Sequence, residues 1–344
     1  MNYSVISCAS YGASGSGVIT DYLAEFDNIL NPGDFEFRFL QDYGGISTLE
    51  DCLVNSPHRL NSDIAIQNFI RYVEFQCGNF INRRYNRFFK GKFEAISRQF
   101  LSDIIEAEWP GYWEEYQILS PRIVTILKYQ IFPRIKRLIK FQRSKYIAHF
   151  LPRSTMYFSN PTKDKFHNAV KKYINNLCCI VDPDQSYDYI FFDQIVPPTD
   201  IDRYFNYFDN MHAIVVDCDA RDYYVKNVFK YGEPWVPTDI DNFIKVFKGI
   251  RKDIDAANEN KNILRLRFED TIFKYKEFAS SVNEFLGLDE RNHINRLKHF
   301  DPRISVRNTR LWLQYDVPPE IIRTIERELP EYCYNFPADD TIIV

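Results

Sequence analysis

The 344-residue chain lacks most of the patterns that name a chemistry outright. No lysine occurs in residues 1–37, so its glycine-rich opening is not the Gly-x-x-x-x-Gly-Lys-Ser/Thr loop that grips nucleoside triphosphates. The seven cysteines are an odd number and contain no CxxC pair. Cys178 and Cys179 are adjacent, which suits neither zinc spacing nor an ordinary disulfide. No metal constellation stands out. No run of about 18 apolar residues could span a bilayer, and the amino terminus has no apolar segment of signal-peptide type. Net charge is only −4, from 43 basic and 47 acidic side chains, which gives no general pull toward nucleic acid. These absences lead to the expectation of a cytoplasmic protein with reduced thiols, no metal and no nucleic-acid partner.

Hydrophobic residues make up 45% of the chain, enough for a sizeable core. Aromatics are abundant, with 29 Phe and 23 Tyr; such residues build cores and also line sugar and nucleotide sites. The most informative stretch is the first. Tyr3–Cys8 alternates like a strand, residues 9–17 run Ala-Ser-Tyr-Gly-Ala-Ser-Gly-Ser-Gly, and Val18–Phe26 is helical in pattern. Small residues at Gly12, Ser14, Gly15, Ser16 and Gly17 let backbone N–H groups converge on a ligand, and the helix start that follows favours an anion. The plainer alternative is a flexible loop capping a helix.

Further along, Phe35–Phe39 alternates strictly and predicts a second strand, turned by Asp42–Gly45. Apolar positions from Ile66 to Phe88 recur at helical spacing, with Arg83, Arg84, Arg87, Lys90 and Lys92 near the end, and Phe93–Ile105 predicts another helix. Residues 122–145 carry eight basic side chains and no acidic one, interleaved with Ile, Leu and Phe. They predict an amphipathic helix kinked at Pro133, with either a solvated basic face or a patch for an anionic glycan, a lipid head group or a membrane surface. Phe150–Pro161 reads as a loop and Asp164–Cys179 as a helix.

From residue 189 the rhythm becomes α/β. Short apolar runs at Tyr189–Phe192, Ala213–Val216 and Ile263–Phe268 alternate with helical stretches near 200–208, 222–230, 240–256 and 272–286. Two strands early and three late predict an α/β fold with a mostly parallel sheet and helices on both faces. Residues 1–344 then form a single composite domain, with 63–180 as a large helical insertion.

In such sheets ligands bind beyond the carboxyl ends of the strands. Those positions hold the glycine loop, then Asp193–Pro198, then Asp217–Asp222, then Glu269-Asp270. In this order the segments resemble the P-loop sulfotransferases, which use 3′-phosphoadenosine 5′-phosphosulfate (PAPS). Val5–Phe26 resembles the 5′-phosphosulfate loop. Ile214–Asp222 resembles the strand ending in Arg-x-Pro-Arg/Lys-Asp, and Leu264–Asp270 with Phe285–Leu288 resembles the Tyr/Phe-Glu-Asp strand and its helix. Ser305–Asn308, Trp312 and Ile325-Glu326 are similar to the closing segment of bacterial members. The resemblance covers the outer thirds of the chain.

It implies a P-loop-type sheet and transfer of a sulfuryl group from PAPS to a hydroxyl or amine of a carbohydrate or glycolipid acceptor. It also departs from the family pattern, with Ala13 where many members have lysine, Cys218 in place of an arginine, and Lys226 in place of a serine. Arg221, Lys226 and Arg307 are the candidate replacements for the missing cations. By position Asp193 is the first candidate for the base that removes the acceptor proton, with His58 and His212 available. Asp217 and Asp222 are expected to fix Arg221 and cap its helix. Two other readings stay open: a glycan- or anion-binding homologue that has lost catalysis, and a nucleotide-dependent kinase, against which the absent Gly-Lys-Ser/Thr counts.

Overall fold

The computed structural model describes residues 2–33, 35–118, 120–139, 146–256, 260–338, 342 and 344. Its strands are β1 (Ser4–Ala9), β2 (Ile29–Leu30), β3 (Ala107–Gly111), β4 (Ser154–Phe158), β5 (Tyr189–Phe191), β6 (Asn210–Asp217) and β7 (Ile263–Arg267). Five of them form a parallel sheet in the order β2-β5-β1-β6-β7, with β1 at its centre. Because both faces are covered, the strands read as short apolar runs. Alternate side chains of β1 enter opposite cores: Val5 and Ala9 one, Ile6 and Cys8 the other. The first core is completed by the helices Arg59–Cys77, Phe93–Ile104 and Lys163–Val181, through side chains such as Phe69, Phe100 and Tyr173. The second is completed by the helices Gly17–Leu23, Ile240–Asp255 and Tyr275–Leu286.

Several expected elements differ. Phe35–Phe39 is not a strand; the edge of β5 is occupied by Ile29–Leu30 instead. The alternation records burial alone, since Phe37 and Phe39 are buried while Glu36 and Arg38 stay outside. The main chain there is satisfied without a ladder, Phe37 N donating to Asp193 O (2.8 Å) and Arg38 N to the Tyr85 hydroxyl (2.7 Å). Residues 150–161 hold a strand, β4, which pairs antiparallel with β3.

The long helix stops at Cys77, where Gly78 turns with φ 76°. The basic cluster that follows lies on a turn and the short Arg84–Phe88 helix. The expected 272–286 helix is two, Phe268–Phe273 and Tyr275–Leu286. The basic stretch is helical from Arg122 to Ile139, with a π-helical segment, Ile126–Ile131, just before Pro133. Its last three basic residues, Lys140, Arg143 and Lys145, lie outside the described residues. No helix among the described residues is long and apolar enough to cross a membrane.

Candidate functional site

The parallel sheet brings the loops after β1, β5, β6 and β7 to one edge. The glycine loop after β1 lies between the other two groups. Ser14 is buried and its hydroxyl donates to Val216 O (2.8 Å), which ties the loop to β6. Gly15 has φ +103°, and a Cβ there would stand 2.5 Å from the Phe268 ring. A Cβ on Gly12 would overlap the indole of Trp235. At Gly15 glycine is required by close packing and by backbone conformation, whereas at Gly12 the half-exposed indole would have to move. From Ala13 to Gly17 the backbone amides donate to no acceptor among the described residues.

On the β5 side the loop is held by Gln194, which the sequence reading passed over. Its Oε1 accepts from Ser10 N (3.2 Å), and its Nε2 donates to Ser10 Oγ (2.7 Å) and reaches Ser16 Oγ (3.4 Å). Gln194 holds a left-handed φ of 58°, and Gln41 Nε2 donates to its carbonyl. Asp193, directly before it, is half-buried beside Cys8. Burial, then the charge of Asp193, raises the Cys8 thiol well above its ordinary range. Cys8 Sγ is in turn 3.8 Å from Ser16 O.

On the β6 side, Lys226 is 5% exposed and its ammonium donates to Ala13 O (3.0 Å), 5.0 Å from the centre of the Phe268 ring. It begins a π-helical stretch, Lys226–Tyr231, that widens the turn after the Ala220–Val225 helix. Asn227 Nδ2 donates to Gly12 O (3.4 Å).

The other proposed cations sit differently. Arg221 is committed to Asp219 (2.7 Å), Glu326 (2.8 Å) and Tyr334 O (3.0 Å), with its guanidinium 4.0 Å from the Trp312 ring centre. It fastens the carboxyl-terminal segment. Arg307 is exposed on a turn; its neighbour Asn308 accepts from Lys230 (3.0 Å). Asp219, rather than Asp217 or Asp222, caps the helix and fixes Arg221. Asp217 pairs with Arg251 instead, and Asp222 accepts the backbone amides of Arg310 and Leu311.

Asp222, Asp219 and Glu269 are all buried, Glu269 accepting from Asp219 N (2.7 Å). Burial, and then the charge of Asp219, pushes the Asp222 carboxyl up to about 8. Burial pushes Glu269 up to about 7. The cavity lined by Tyr11, Ser14 and Cys218 measures about 30 Å³, room for a single water.

Neither histidine approaches the loop through any described contact. His58 caps the Arg59–Cys77 helix, its Nδ1 accepting from Leu60 N (3.3 Å). His212 lies edge-on between Tyr189 and Phe285 near the start of β6, where burial lowers its pKa. Among the described residues no three His, Cys, Asp or Glu side chains gather as metal ligands would.

No family model and no curated protein matches the chain. Among solved structures it is similar to three sulfotransferases. The sulfotransferase domain from the Synechococcus PCC 7002 olefin synthase is 12% identical, covers 98% of both chains and has a TM-score of 0.40. The sulfotransferase domain from the curacin biosynthetic pathway is 14% identical, over 97% of this chain and 99% of that one, with a TM-score of 0.43. Sulfotransferase STF1 from Mycobacterium tuberculosis H37Rv is 8% identical, over 90% of this chain and 77% of that one, with a TM-score of 0.36.

Proposed function

We propose that the protein transfers a sulfuryl group from PAPS to a hydroxyl or amine of a carbohydrate-type acceptor, with the glycine loop holding the phosphosulfate. The observation that carries this reading is the row of amides from Ala13 to Gly17 without acceptors among the described residues, next to the buried Lys226 ammonium. In-line transfer gathers charge on the equatorial and bridging oxygens, and fixed N–H donors with one cation answer that charge. Lys226 arrives from the neighbouring helix and supplies at Ala13 the positive charge that residue 13 lacks. Asp193, whose charge acts on Cys8, is the candidate to accept the acceptor's proton.

A second reading is an anion-binding homologue without transfer activity. It is favoured by the surroundings of Cys218, where the cavity has room for only about one water and the nearby Arg221 is engaged by Asp219 and Glu326. A 3′-phosphate would need a place other than this one. Calorimetric titration with PAPS, adenosine 3′,5′-bisphosphate and ATP separates the readings. Micromolar binding of the first two and not of ATP supports transfer from PAPS. Binding of inorganic sulfate with neither adenine nucleotide supports the second reading, and binding of ATP alone would make the protein a kinase candidate.

A further inference from the structure

Between Glu115 and Asp164 the chain has ten Lys or Arg residues and no acidic one. Its described helical part, Arg122 to Ile139, is 18 residues or about 27 Å long. It is attached to the body along one narrow stripe: Thr125 Oγ1 donates to Gln117 O (3.2 Å), Tyr129 packs against Tyr112 with ring centres 5.4 Å apart, and Pro133 is buried. The Ile147–Phe150 turn packs beside Phe132–Ile139, and much of the rest of the run faces outward. Nine large apolar side chains between Ile123 and Ile139 are exposed, among them Leu138 and Ile139 at 70% each. In the last turns they fall at Ile131, Phe132, Ile135, Leu138 and Ile139, spaced three and four apart on one face. Arg134, Lys136 and Arg137 occupy the remainder of the same turns, all exposed.

We propose that this run is a membrane-surface anchor, lying in the interface of an anionic bilayer with its apolar face toward the acyl chains. An exposed apolar stripe of this length needs a cover, and its charge decides which. A second copy of the chain would bring like basic faces together without acidic partners in the segment. A polyanionic glycan would answer the lysines and arginines and leave Ile135, Leu138 and Ile139 in water. An anionic lipid surface satisfies both, head groups meeting the basic side chains and the boundary of the acyl region accepting the apolar ones. The inference is independent of what the glycine loop binds.

The test is co-sedimentation of the full chain with vesicles of phosphatidylcholine alone and of phosphatidylcholine with phosphatidylserine. The expected result is partition onto the phosphatidylserine vesicles only, weakening with added salt. Arg134→Gln, Lys136→Gln and Arg137→Gln together should lower that partition about a hundredfold, because each basic side chain near such a surface contributes about fivefold. Ile135→Ser with Leu138→Ser should lower it as well, with sulfate or nucleotide titrations of the loop unchanged. No partition onto anionic vesicles overturns the proposal, as does partition that ignores both sets of substitutions. Self-association in the ultracentrifuge that the serine variant abolishes, in a chain that leaves vesicles in solution, would make the face an interface between copies. Binding to heparin alone, unaffected by the serine variant, would make it a glycan patch.

Discussion

Lys226 is a cation whose ammonium reaches the glycine loop, at Ala13 O. Its ammonium spends one donor on Ala13 O and lies over the Phe268 ring, which leaves donors for an anion held by the amides of Ala13–Gly17. Lys226→Met keeps the length and removes the charge. Sulfate or adenosine 3′,5′-bisphosphate binding should weaken by about 1.5–3 kcal/mol, the worth of a charge-assisted contact. Arg221→Met serves as the contrast. It should leave that affinity alone and lower the melting temperature, because the guanidinium holds Asp219, Glu326 and Tyr334 together. An equal loss of binding in both variants would remove Lys226 from its assigned place. Asp193 has a separate test. If it takes the acceptor proton, Asp193→Asn should cut turnover by about 10²–10⁴-fold with donor affinity unchanged. A variant that turns over normally would send the search to other groups around the loop.

At the level of elements, three neighbours clamp the glycine loop that we propose as the anion's cradle: Gln194 from the β5 side, Val216 O through Ser14, and the Phe268 ring on Gly15. Gly15→Val meets both a left-handed φ and that ring, a strain on the order of 1–3 kcal/mol. Anion binding should be lost. Gly17→Ala is the control, since a Cβ there meets nothing within 4 Å, and it should bind as the parent does. Equal affinities for all three proteins in calorimetry would show that the loop is not the cradle.

These elements differ in how much of them could be read from sequence. β1, β5, β6 and β7 are legible because strands buried on both faces become short apolar runs next to turn residues. β3, Ala-Glu-Trp-Pro-Gly, is largely exposed and carries a proline, so nothing in its pattern says strand. Ile29–Leu30 is too short to signal, while Phe35–Phe39 has the right alternation but sends its backbone bonds to Asp193 O and the Tyr85 hydroxyl instead of a strand ladder. The glycine loop and Asp193 could be located by their position after strands. The clamp by Gln194 and the reach of Lys226 depend on which loops the sheet brings together, and on a π-helical widening with no sequence signature.

For the whole molecule, the sheet separates two cores, and the acidic cluster behind the loop belongs to the second of them. Asp222 and Glu269 are sealed in among Cys218, Phe268 and Leu311, where the ionised form of a carboxyl is penalised. In the unfolded chain such carboxyls titrate near about 4. In the folded chain they titrate at about 8 and about 7. Between these limits the folded state holds protons that the unfolded state has released, so this contribution to stability is complete below pH ~4 and is lost as pH rises through 7 and 8. Exposed carboxylates held low by arginine, such as Asp301 beside Arg303, act in the opposite sense only at more acid pH. The melting temperature should therefore fall from pH 5 to about pH 8 and level off above it. Asp222→Asn with Glu269→Gln should flatten that slope, because neither amide can release a proton. The same titration places negative charge near Lys226, whose field already acts on Asp222 and Cys218. Sulfate affinity should accordingly drop across pH 7–8 in the parent and stay level in the double variant. A melting temperature that stays level over this range would mean that both carboxyls are already ionised in the fold, with Lys226 as their counter-charge and not a ligand's.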